Sequence, residues 1–333
     1  MLEIDGSHGE GGGAIVRLSA AFSALTGKAC RIERIRAGRE TPGLQRQHVA
    51  AVDAVAKLCD AKVRGSYRGS QSLLFTPGEL KPGTLDIDVG SAGSIALVLQ
   101  ALMIPAMKYG ASLKIRGGTV NKWAPSVVYI RDVTMPILKK FGYAGEVSIL
   151  KHGFYPEGGG IVEAKLMPCS LKRIDMPGKG ALLRMHGTAL AGKSLAGAKV
   201  AERMKRHTEE ILKAYKPEIK AEYCDSLSPG GGIDMVAEYE NSFIGAGAVA
   251  EKNRNAEGLA NEACQELLRA HEDPAAVDVH MADQILPYLA IAGGSVSVPS
   301  MTPHCQSNIY VIEKFTGKKI ACREEKGVIL LAV

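Results

Sequence analysis

His304 lies where the sequence predicts the start of a helix. Thr302 is a favourable N-cap residue, Pro303 suits the first helical position, and Ile309–Phe315 carries apolar residues on one helical face. The positive end of the helix dipole disfavours imidazolium in the first turn, and a neutral imidazole beside a region that attracts phosphate is a competent nucleophile. By itself, however, a histidine in such a turn is more often an ordinary surface residue.

A glycine-rich loop, Asp5–Gly13, follows a short predicted strand at Leu2–Ile4 and precedes a helical pattern at Ile15–Phe22. Such a loop presents backbone N–H groups to an anion at a helix N-terminus. Glu10 lies inside the loop, where a directly bound pyrophosphate should go, so a dinucleotide-binding loop is disfavoured, and the sequence has no Walker loop. Glu10 is interpreted either as a ligand of Mg²⁺ that faces phosphates or as a solvated loop acid.

Basic residues crowd the next segment. They are Arg31, Arg34, Arg36, Arg39, Arg46 and His48. Glycine and proline interrupt them before a predicted helix at Gln47–Leu58, and acidic partners are scarce. Planar guanidinium groups bind phosphate oxygens in pairs, so the segment suits a phosphate site, with a solvated basic face as the alternative.

Two further segments place polar side chains on apolar helices. Ile95–Met107 is apolar nearly all round, and Gln100 is its single strongly polar residue. A buried amide needs partners, which are either backbone groups or the polar edge of a ligand. Asp283 and Gln284 stand near the start of a helical pattern at 280–294, where they either cap the helix or present a carboxylate and an amide to a ligand.

The composition is that of a globular protein that contains a sizeable core. The chain has 333 residues, 46% of them hydrophobic, and a formal net charge of +6, which permits a polyanionic partner without requiring one. Seven cysteines without a C-x-x-C pair favour reduced thiols over a disulfide framework or a zinc knuckle. No signal-peptide pattern and no apolar run of the ~20 residues that a membrane span needs are found, so we expect a cytoplasmic protein.

The order of patterns predicts an α/β protein built from repeats. Strand–loop–helix patterns recur near residues 5–25, 86–107 and 278–293, and we interpret them as diverged copies of one βαβ-type unit. The residue pattern changes at about residue 180, and the apolar pattern that resembles the repeats resumes after 275. We therefore predict a large domain formed by 1–179 and 276–333, and an inserted small α/β domain at 180–275.

Several of these motifs together resemble those of the RNA 3'-terminal phosphate cyclase family. The matching segments, in family order, are Asp5–Gly13, Arg36–His48, Gly90–Ser94 with Gln100, His152–Gly160, Ala282–Gln284, and His304 followed at a spacing of four by Asn308. They span nearly the whole chain. The combination is far more specific than any one motif, so the resemblance favours His304 as a functional residue.

The resemblance implies a reaction and a fold. The implied reaction is the ATP-dependent conversion of an RNA 3'-terminal phosphate into a 2',3'-cyclic phosphodiester, through a covalent histidine–AMP intermediate and an RNA-(3')pp(5')A intermediate. AMP and pyrophosphate are released. The implied fold has three to four repeats of a small α/β unit, like the C-terminal domain of translation initiation factor three, around an inserted domain of thioredoxin-like topology.

Carried over residue by residue, the resemblance also implies a set of site residues. His304 is the expected nucleophile, and Glu10 is the expected ligand of Mg²⁺ or Mn²⁺. The expected ATP-binding residues are Gln100, His280, Met281, Ala282, Asp283 and Gln284. The residues expected to hold RNA or ATP phosphates are Arg17, Arg36, Arg39, Gln47 and His48. The implied partners are ATP and RNA with a 3'-phosphate, and no membrane is implied. A homo-oligomer, with a second copy of the chain as partner, is left open.

The sequence departs from the family pattern at several positions. Val128 stands where Asp is common, Ala14 replaces a frequent Gln, His280 replaces a usual Tyr, and Cys305 stands where an aliphatic residue is common. The alternative function is that of cyclase-like proteins of ribosome biogenesis, which lack the nucleophilic histidine and act on or with pre-ribosomal RNA. The presence of His304 together with Asp283 and Gln284 argues against it. Enolpyruvyl transferases share a related repeat architecture but not the histidine motif.

Overall fold

Three copies of one small α/β unit form most of the computed structural model, which describes residues 1–325 and 327–333. Each copy has the element order β-α-β-α-β-β. The first comprises β1 (Leu2–Asp5), α1 (Gly13–Thr26), β2 (Cys30–Glu33), α2 (Arg46–Leu58), β3 (Lys62–Arg64) and β4 (Leu73–Thr76).

The second copy includes one helix with an irregular centre. Its elements are β5 (Gly83–Asp88), α3 (Ile95–Tyr109), β6 (Ala111–Gly117), α4 (Val127–Tyr129), a π-helical turn (Ile130–Thr134), α5 (Met135–Lys140), β7 (Gly145–Lys151) and β8 (Gly160–Leu166). The segment from α4 to α5 is continuous and occupies the place of the unit's second helix.

The third copy begins at β9 (Ile174–Met176) and is interrupted before its first helix. The interrupting elements are β10 (Leu182–Gly192), a 3₁₀ turn (Lys193–Ala198), α6 (Val200–Ile211), a 3₁₀ turn (Lys213–Tyr215), β11 (Glu218–Cys224), β12 (Gly231–Tyr239), β13 (Phe243–Val249) and α7 (Ala256–Glu272). The copy then resumes with α8 (Val279–Ala292), β14 (Gly294–Val298), α9 (Pro303–Thr316), β15 (Ala321–Glu325) and β16 (Val328–Ala332).

The three repeat sheets share one topology. Their strand orders are β1-β2-β4-β3, β5-β6-β8-β7 and β9-β14-β16-β15. In each sheet the first two strands are parallel and the remaining pairs are antiparallel. Each unit therefore consists of two parallel strands joined through a helix, a second helix and an antiparallel hairpin. The described chain contains three such units. This agrees with the predicted repeat architecture and sets its number at three.

The interrupting segment has a sheet and a hydrophobic cluster of its own. Its strand order is β11-β10-β12-β13, with β10 parallel to β11 and antiparallel to β12. The order β-α-β-β-β-α agrees with the thioredoxin-like topology that the resemblance implied. Buried apolar side chains of its strands, α6 and α7 form a cluster separate from that of the repeats. That residues 180–275 form a separate domain stays a prediction.

The helices of the three repeats pack on one another. Helix α1 contacts α2, α3 and α9, and α8 contacts α3 and α9. The rings of Phe22 and Phe315 lie with their centroids 6.1 Å apart, joining the first repeat to the third. Helix α3 is buried on nearly every side, which explains its apolar sequence. None of the helices in the described ranges is long and apolar enough to cross a membrane.

Several element bounds differ from those that the sequence suggested. The third repeat's first strand, β9, lies far upstream of α8 rather than directly before residue 278, because the inserted segment separates them. The charged, amphipathic sequence pattern of 193–213 favours a helix that begins at Lys193, but α6 begins only at Val200, since Lys199 adopts a left-handed conformation with φ 50°. The sequence also favours a strand near Lys319–Ala321, whereas β15 begins at Ala321 and the Ile320 N–H donates to the Glu313 carboxylate at 3.2 Å.

Substitution of Gly294 tests the junction between β9 and β14. Gly294 has φ +122°, and a Cβ there would collide with the Ile174 carbonyl. We expect Gly294→Ala to lower the free energy of unfolding by at least about 2 kcal/mol, because both the left-handed backbone and the collision oppose alanine. Gly317 is the matched control, since it has φ +71° but open space around it, and Gly317→Ala should cost about 1 kcal/mol. Equal losses in urea denaturation would contradict the role of the collision.

Candidate active site

A cleft of about 840 Å³ lies between the repeats and the inserted segment. Its walls come from the loop after β1, from α1, α3, α8 and α9, and from β12, β13 and α7 of the insert. The predicted site residues that line it are Glu10, Arg17, Arg36, Arg39, Gln47, His48, Gln100, His280, Asp283, Gln284 and His304. Residues as far apart in the sequence as Glu10 and His304 therefore meet in one cavity.

Helix α9 begins as the sequence predicts. The Thr302 hydroxyl oxygen accepts a hydrogen bond from the Cys305 N–H at 3.1 Å, and Pro303 is the first helical residue. His304 follows in the first turn, with its side chain about half exposed to the cleft (52%). The local sequence thus fixes the direction in which the imidazole leaves the backbone.

Ser307 joins the glycine-rich loop to the first turn of α9. Its hydroxyl oxygen accepts a hydrogen bond from the Glu10 N–H at 3.1 Å and lies 3.2 Å from the His8 carbonyl. Gly9 has φ +59°, and a Cβ there would come within 2.6 Å of the Ser307 hydroxyl. The loop therefore needs glycine to approach the helix. Ser307 was not predicted from the sequence, because its partner lies nearly 300 residues away.

Glu10 lies between a histidine and an arginine. Its Oε2 is 2.7 Å from Nδ1 of His304, and its Oε1 contacts the Arg39 guanidinium. Oε2 is buried and receives no well-aligned hydrogen bond, so it retains capacity for a further cationic partner. Within 1–325 and 327–333 no group of three or more Cys, His, Asp or Glu side chains could hold a metal. A cation at Glu10 would depend on ligand and water oxygens for its remaining coordination.

The environment of His304 favours the neutral imidazole. Burial in the cleft lowers the pKa of His304 and outweighs the Asp283 carboxylate, which raises it. The guanidinium groups of Arg17 and Arg39 lower it further, while the Glu10 carboxylate, 2.7 Å from Nδ1, acts against them. A neutral ring keeps a lone pair on one nitrogen, which a nucleophile requires. The predicted chemical state of His304 is thus supported by its surroundings in addition to the helix dipole.

Asp283 and Gln284 do not cap their helix. Asp278 is the N-cap residue of α8, and it accepts hydrogen bonds from the backbone N–H groups of His280 and Met281. Asp283 lies one turn farther along, where burial raises the pKa of its carboxyl to about 6. Of the two interpretations left open by the sequence, the one in which these side chains face the cleft agrees with the structure.

The partners of Gln284 and Asn308 hold this part of the cleft together. Gln284 accepts a hydrogen bond from the Thr134 hydroxyl at 2.9 Å and donates one to the His280 carbonyl at 2.9 Å. Asn308 on α9 donates to the Asp283 carbonyl at 3.0 Å. The second turns of α8 and α9 are thereby joined to each other beside His304.

Helix phase separates the predicted ATP-binding segment into two groups. His280, Asp283 and Gln284 share one face of α8 and line the cleft. Met281 and Ala282 lie on the opposite face and are fully buried in the core of the repeats. The structure therefore does not bring these two side chains to the cavity, and their role in ATP binding stays a prediction.

Gln100 reaches the cleft from α3. Its side chain is partly buried and also borders a smaller cavity lined by Arg17 and Asp283. Its amide forms no hydrogen bond to another residue of the described chain, so backbone partners do not satisfy it. The amide thus remains available to a ligand.

Arg17 and Arg36, two of the predicted phosphate-binding residues, have different surroundings. Burial lowers the pKa of Arg17 to about 10, while the Asp283 carboxylate raises it, so Arg17 stays charged at neutral pH. The Arg36 guanidinium donates hydrogen bonds to the carbonyls of Thr41 at 2.6 Å and Gly43 at 3.1 Å. Arg36 therefore shapes its own loop as well as lining the cleft.

Gln47 and His48 also have structural partners. The Gln47 side-chain oxygen accepts a hydrogen bond from the Ser94 N–H at 2.9 Å, and His48 Nδ1 accepts one from the Gln45 N–H at 3.0 Å. Burial, with help from two nearby arginines, lowers the pKa of His48 to about 3, so this ring is neutral. Contact of either residue with RNA stays a prediction.

Two residues missed by the sequence analysis connect the repeats to the insert. Buried Asp278 accepts hydrogen bonds from the Tyr129 hydroxyl at 2.7 Å and from the Gly245 N–H of β13 at 2.8 Å. Glu266 on α7 lies 2.7 Å from Nε2 of His280. An aspartate before an apolar helix is an N-cap signal that the sequence offered, whereas nothing local marks Glu266.

The His280 ring should lose its proton at alkaline pH, because the Glu266 carboxylate stabilises its charged form. The hydrogen bond to Glu266 raises the pKa of His280 from its usual 6.5 to about 9. The stabilisation from this pair is therefore complete below about pH 6.5 and is lost as the pH rises through about 9. We expect Glu266→Gln to return the pKa of His280 towards 6.5, measured by NMR titration of the ring protons. Glu262→Gln, on the same helix, is the control, and an unchanged His280 titration in Glu266→Gln would refute the assignment.

Comparison with known proteins identifies the family of the chain. A profile described as RNA 3'-terminal phosphate cyclase matches residues 8–322. The chain is similar to three archaeal proteins named RNA 3'-terminal phosphate cyclase. The one from Pyrococcus furiosus is 44% identical over 324 residues, covering 96% of this chain and 94% of its own. The one from Methanococcoides burtonii is 40% identical with 100% of both chains covered, and the one from Methanopyrus kandleri is 40% identical, covering 98% and 96%. The chain belongs to the RNA 3'-terminal phosphate cyclase family.

Proposed function

We propose that this protein converts the 3'-terminal phosphate of RNA into a 2',3'-cyclic phosphodiester, with ATP as co-substrate and His304 as a covalent nucleophile. The family and the names of the relatives support the overall reaction. The contact of His304 with Glu10 at the start of α9, inside a cleft with several arginines, carries the covalent mechanism.

The first step is attack of His304 on the α-phosphorus of ATP. Nδ1 lies beside the Glu10 carboxylate, so Nε2 is the nitrogen left to attack. The new bond joins Nε2 to phosphorus, and the bond from the α-phosphorus to its bridging oxygen breaks, releasing pyrophosphate. The carboxylate 2.7 Å from Nδ1 stabilises the positive charge that develops on the ring.

Two further transfers complete the reaction. An oxygen of the RNA 3'-phosphate attacks the AMP phosphorus, and the phosphorus–nitrogen bond breaks to free His304. The neighbouring 2'-hydroxyl then attacks the RNA phosphorus, loses its proton and expels AMP, which closes the cyclic phosphodiester. The need for a 2'-hydroxyl makes RNA rather than DNA the substrate.

The cationic groups of the cleft suit these phosphoryl transfers. We assign Arg17, Arg36 and Arg39 to the phosphates of ATP and RNA, since guanidinium groups stabilise charge on phosphate oxygens. Glu10 fits a divalent cation, Mg²⁺ or Mn²⁺, because its buried Oε2 lacks an aligned donor. When bound, that cation would neutralise phosphate charge.

ATP is assigned to the part of the cleft between α8 and the insert. Gln100 and Asp283 offer a free amide and a carboxyl to the polar edge of the nucleotide. Small apolar residues of the insert, including Ala246 and Ala248, line the facing wall and suit a flat nucleobase. Residues 180–275 would then act as an inserted domain that closes the nucleotide site.

Loss of the imidazole tests the covalent step. We expect wild-type protein incubated with Mg²⁺ and ATP labelled at the α-phosphorus to acquire acid-labile, base-stable label, because phosphoramidates have this stability. His304→Ala should acquire none. Gln306→Ala is the control, since Gln306 is exposed on the same helix and does not line the cleft. A wild-type protein without label would exclude this mechanism and favour a non-catalytic role in RNA binding.

Substitution of Arg39 tests whether this residue acts on the RNA in cyclisation more than on ATP in self-adenylylation. We expect Arg39→Ala to reduce cyclisation of 3'-phosphorylated RNA by roughly tenfold to a hundredfold, the effect of losing one charged hydrogen bond, and to reduce self-adenylylation less. The two rates are measured separately, by cyclic-phosphate formation and by protein labelling. Arg31→Ala is the matched control, because Arg31 is exposed on β2 outside the cleft. Equal losses in both steps would contradict a role for Arg39 in RNA binding.

A further inference from the structure

Trp123 is exposed to an extent that is unusual for tryptophan. It is the single tryptophan of the chain, and its exposed fraction is 90%. The ring belongs to the loop Asn121–Ser126, which lines the cleft between β6 and α4. Tryptophan has a large apolar surface that folding normally removes from water. An indole that stays exposed at a substrate cleft therefore indicates a binding site for a ligand.

The backbone at Trp123 is held in an unfavourable conformation. Its φ is 64°, in the left-handed region that bulky residues rarely adopt. Strain of this kind persists only where the neighbouring structure enforces it, and it is common at binding sites. The fold thus stabilises a conformation that presents the indole rather than burying it.

The residues beside Trp123 are anchored by hydrogen bonds and an ion pair, whereas its ring is exposed to solvent. Asn121 donates a hydrogen bond to the Ala92 carbonyl at 2.5 Å, and Lys122 pairs with Glu251 of the insert at 3.0 Å. Ser126 caps α4 by accepting a hydrogen bond from the Tyr129 N–H at 2.9 Å. A flat aromatic surface on an anchored loop loses little conformational entropy when a ligand stacks on it.

Cationic groups that line the same cleft as the ring suit a nucleic acid. Arg36 and Arg39 line the cleft with Trp123. The Lys122 ammonium lies 5.0 Å from the centroid of the indole and is itself paired with Glu251. Single-stranded nucleic acids are commonly bound by aromatic side chains that stack on bases beside cationic groups that attract the backbone. Stacking does not depend on base identity, which suits an enzyme that must accept different RNA ends.

The position of the ring favours RNA over the adenine of ATP. ATP is small enough to lie within the cleft, where partly buried polar groups and the apolar wall of the insert surround it. Only the 3' end of an RNA enters, so the remaining strand must leave across the rim. A ring with 90% exposure lies at that rim and not in the enclosed part.

We propose that the Trp123 indole is a stacking platform for a nucleobase of the RNA strand where the strand leaves the cleft. This assignment rests on the proposed function, because it requires RNA as the substrate. It adds a contact with the RNA chain that is distinct from the phosphate contacts at Arg36 and Arg39.

Intrinsic fluorescence tests the proposal directly, because Trp123 is the single source of tryptophan emission. We expect a short single-stranded oligoribonucleotide with a 3'-phosphate to quench the emission of the full-length protein, and ATP alone to leave it nearly unchanged. Quenching by ATP alone, without further change on adding RNA, would overturn the proposal and assign the ring to adenine. No quenching by either ligand would also overturn it.

Steady-state kinetics of Trp123→Ala provide the second test. We expect the KM for the oligoribonucleotide to rise about tenfold, as loss of one stacked base predicts, and the KM for ATP in self-adenylylation to change much less. Trp123→Phe should restore most of the RNA affinity, since a smaller aromatic ring still stacks. Tyr67→Ala is the matched control, because Tyr67 is a 64% exposed aromatic residue outside the cleft.

The outcomes separate this inference from the proposed function. If the wild-type protein forms no cyclic phosphate, the proposed function fails whatever Trp123 does. If the wild-type protein cyclises RNA and Trp123→Ala has an unchanged KM for RNA, the proposed function stands and the stacking platform is wrong.

Discussion

The active site depends on the contact between the glycine-rich loop of the first repeat and the first turn of α9 in the third. Ser307 binds the Glu10 N–H at 3.1 Å, and the missing side chain of Gly9 leaves room for this approach. The ring of His8 stacks on Tyr310 one turn farther along α9, with centroids 4.1 Å apart. Together these contacts set the distance between the Glu10 carboxylate and the His304 imidazole, which neither segment determines alone.

Repetition of one unit explains why the cleft lies where it does. In each repeat a helix follows the first strand, and the three such helices, α1, α3 and α8, contact one another as α1 with α3 and α3 with α8. These helices deliver the partly buried side chains of Arg17, Gln100 and Asp283 to the cleft. The inserted segment covers it from the other side, joined to α8 through Asp278 and its bonds to Tyr129 and Gly245.

The electrostatics of the cleft follow from partial burial of charged groups. Desolvation disfavours each charge, so the pKa of His304 is lowered and that of the Asp283 carboxyl is raised to about 6. His280 is the exception, since its hydrogen bond to Glu266 outweighs desolvation and raises its pKa to about 9. The pKa values of two histidines in one cleft, His304 and His280, are therefore shifted in opposite directions by their different neighbours.

The sequence by itself determined the features that depend on neighbouring residues: the Thr302 cap, the start of α9 at Pro303, and the glycine loop that holds Glu10. It also indicated the repeated unit, because apolar periodicity reports which faces are buried. Only the tertiary structure decided that Asp283 faces the cleft while Met281 is buried, and that Ser307 and Glu266 are partners of site residues. The physical reason is that helix phase and long-range hydrogen bonds depend on how separate elements pack, and local propensity carries no information about that packing.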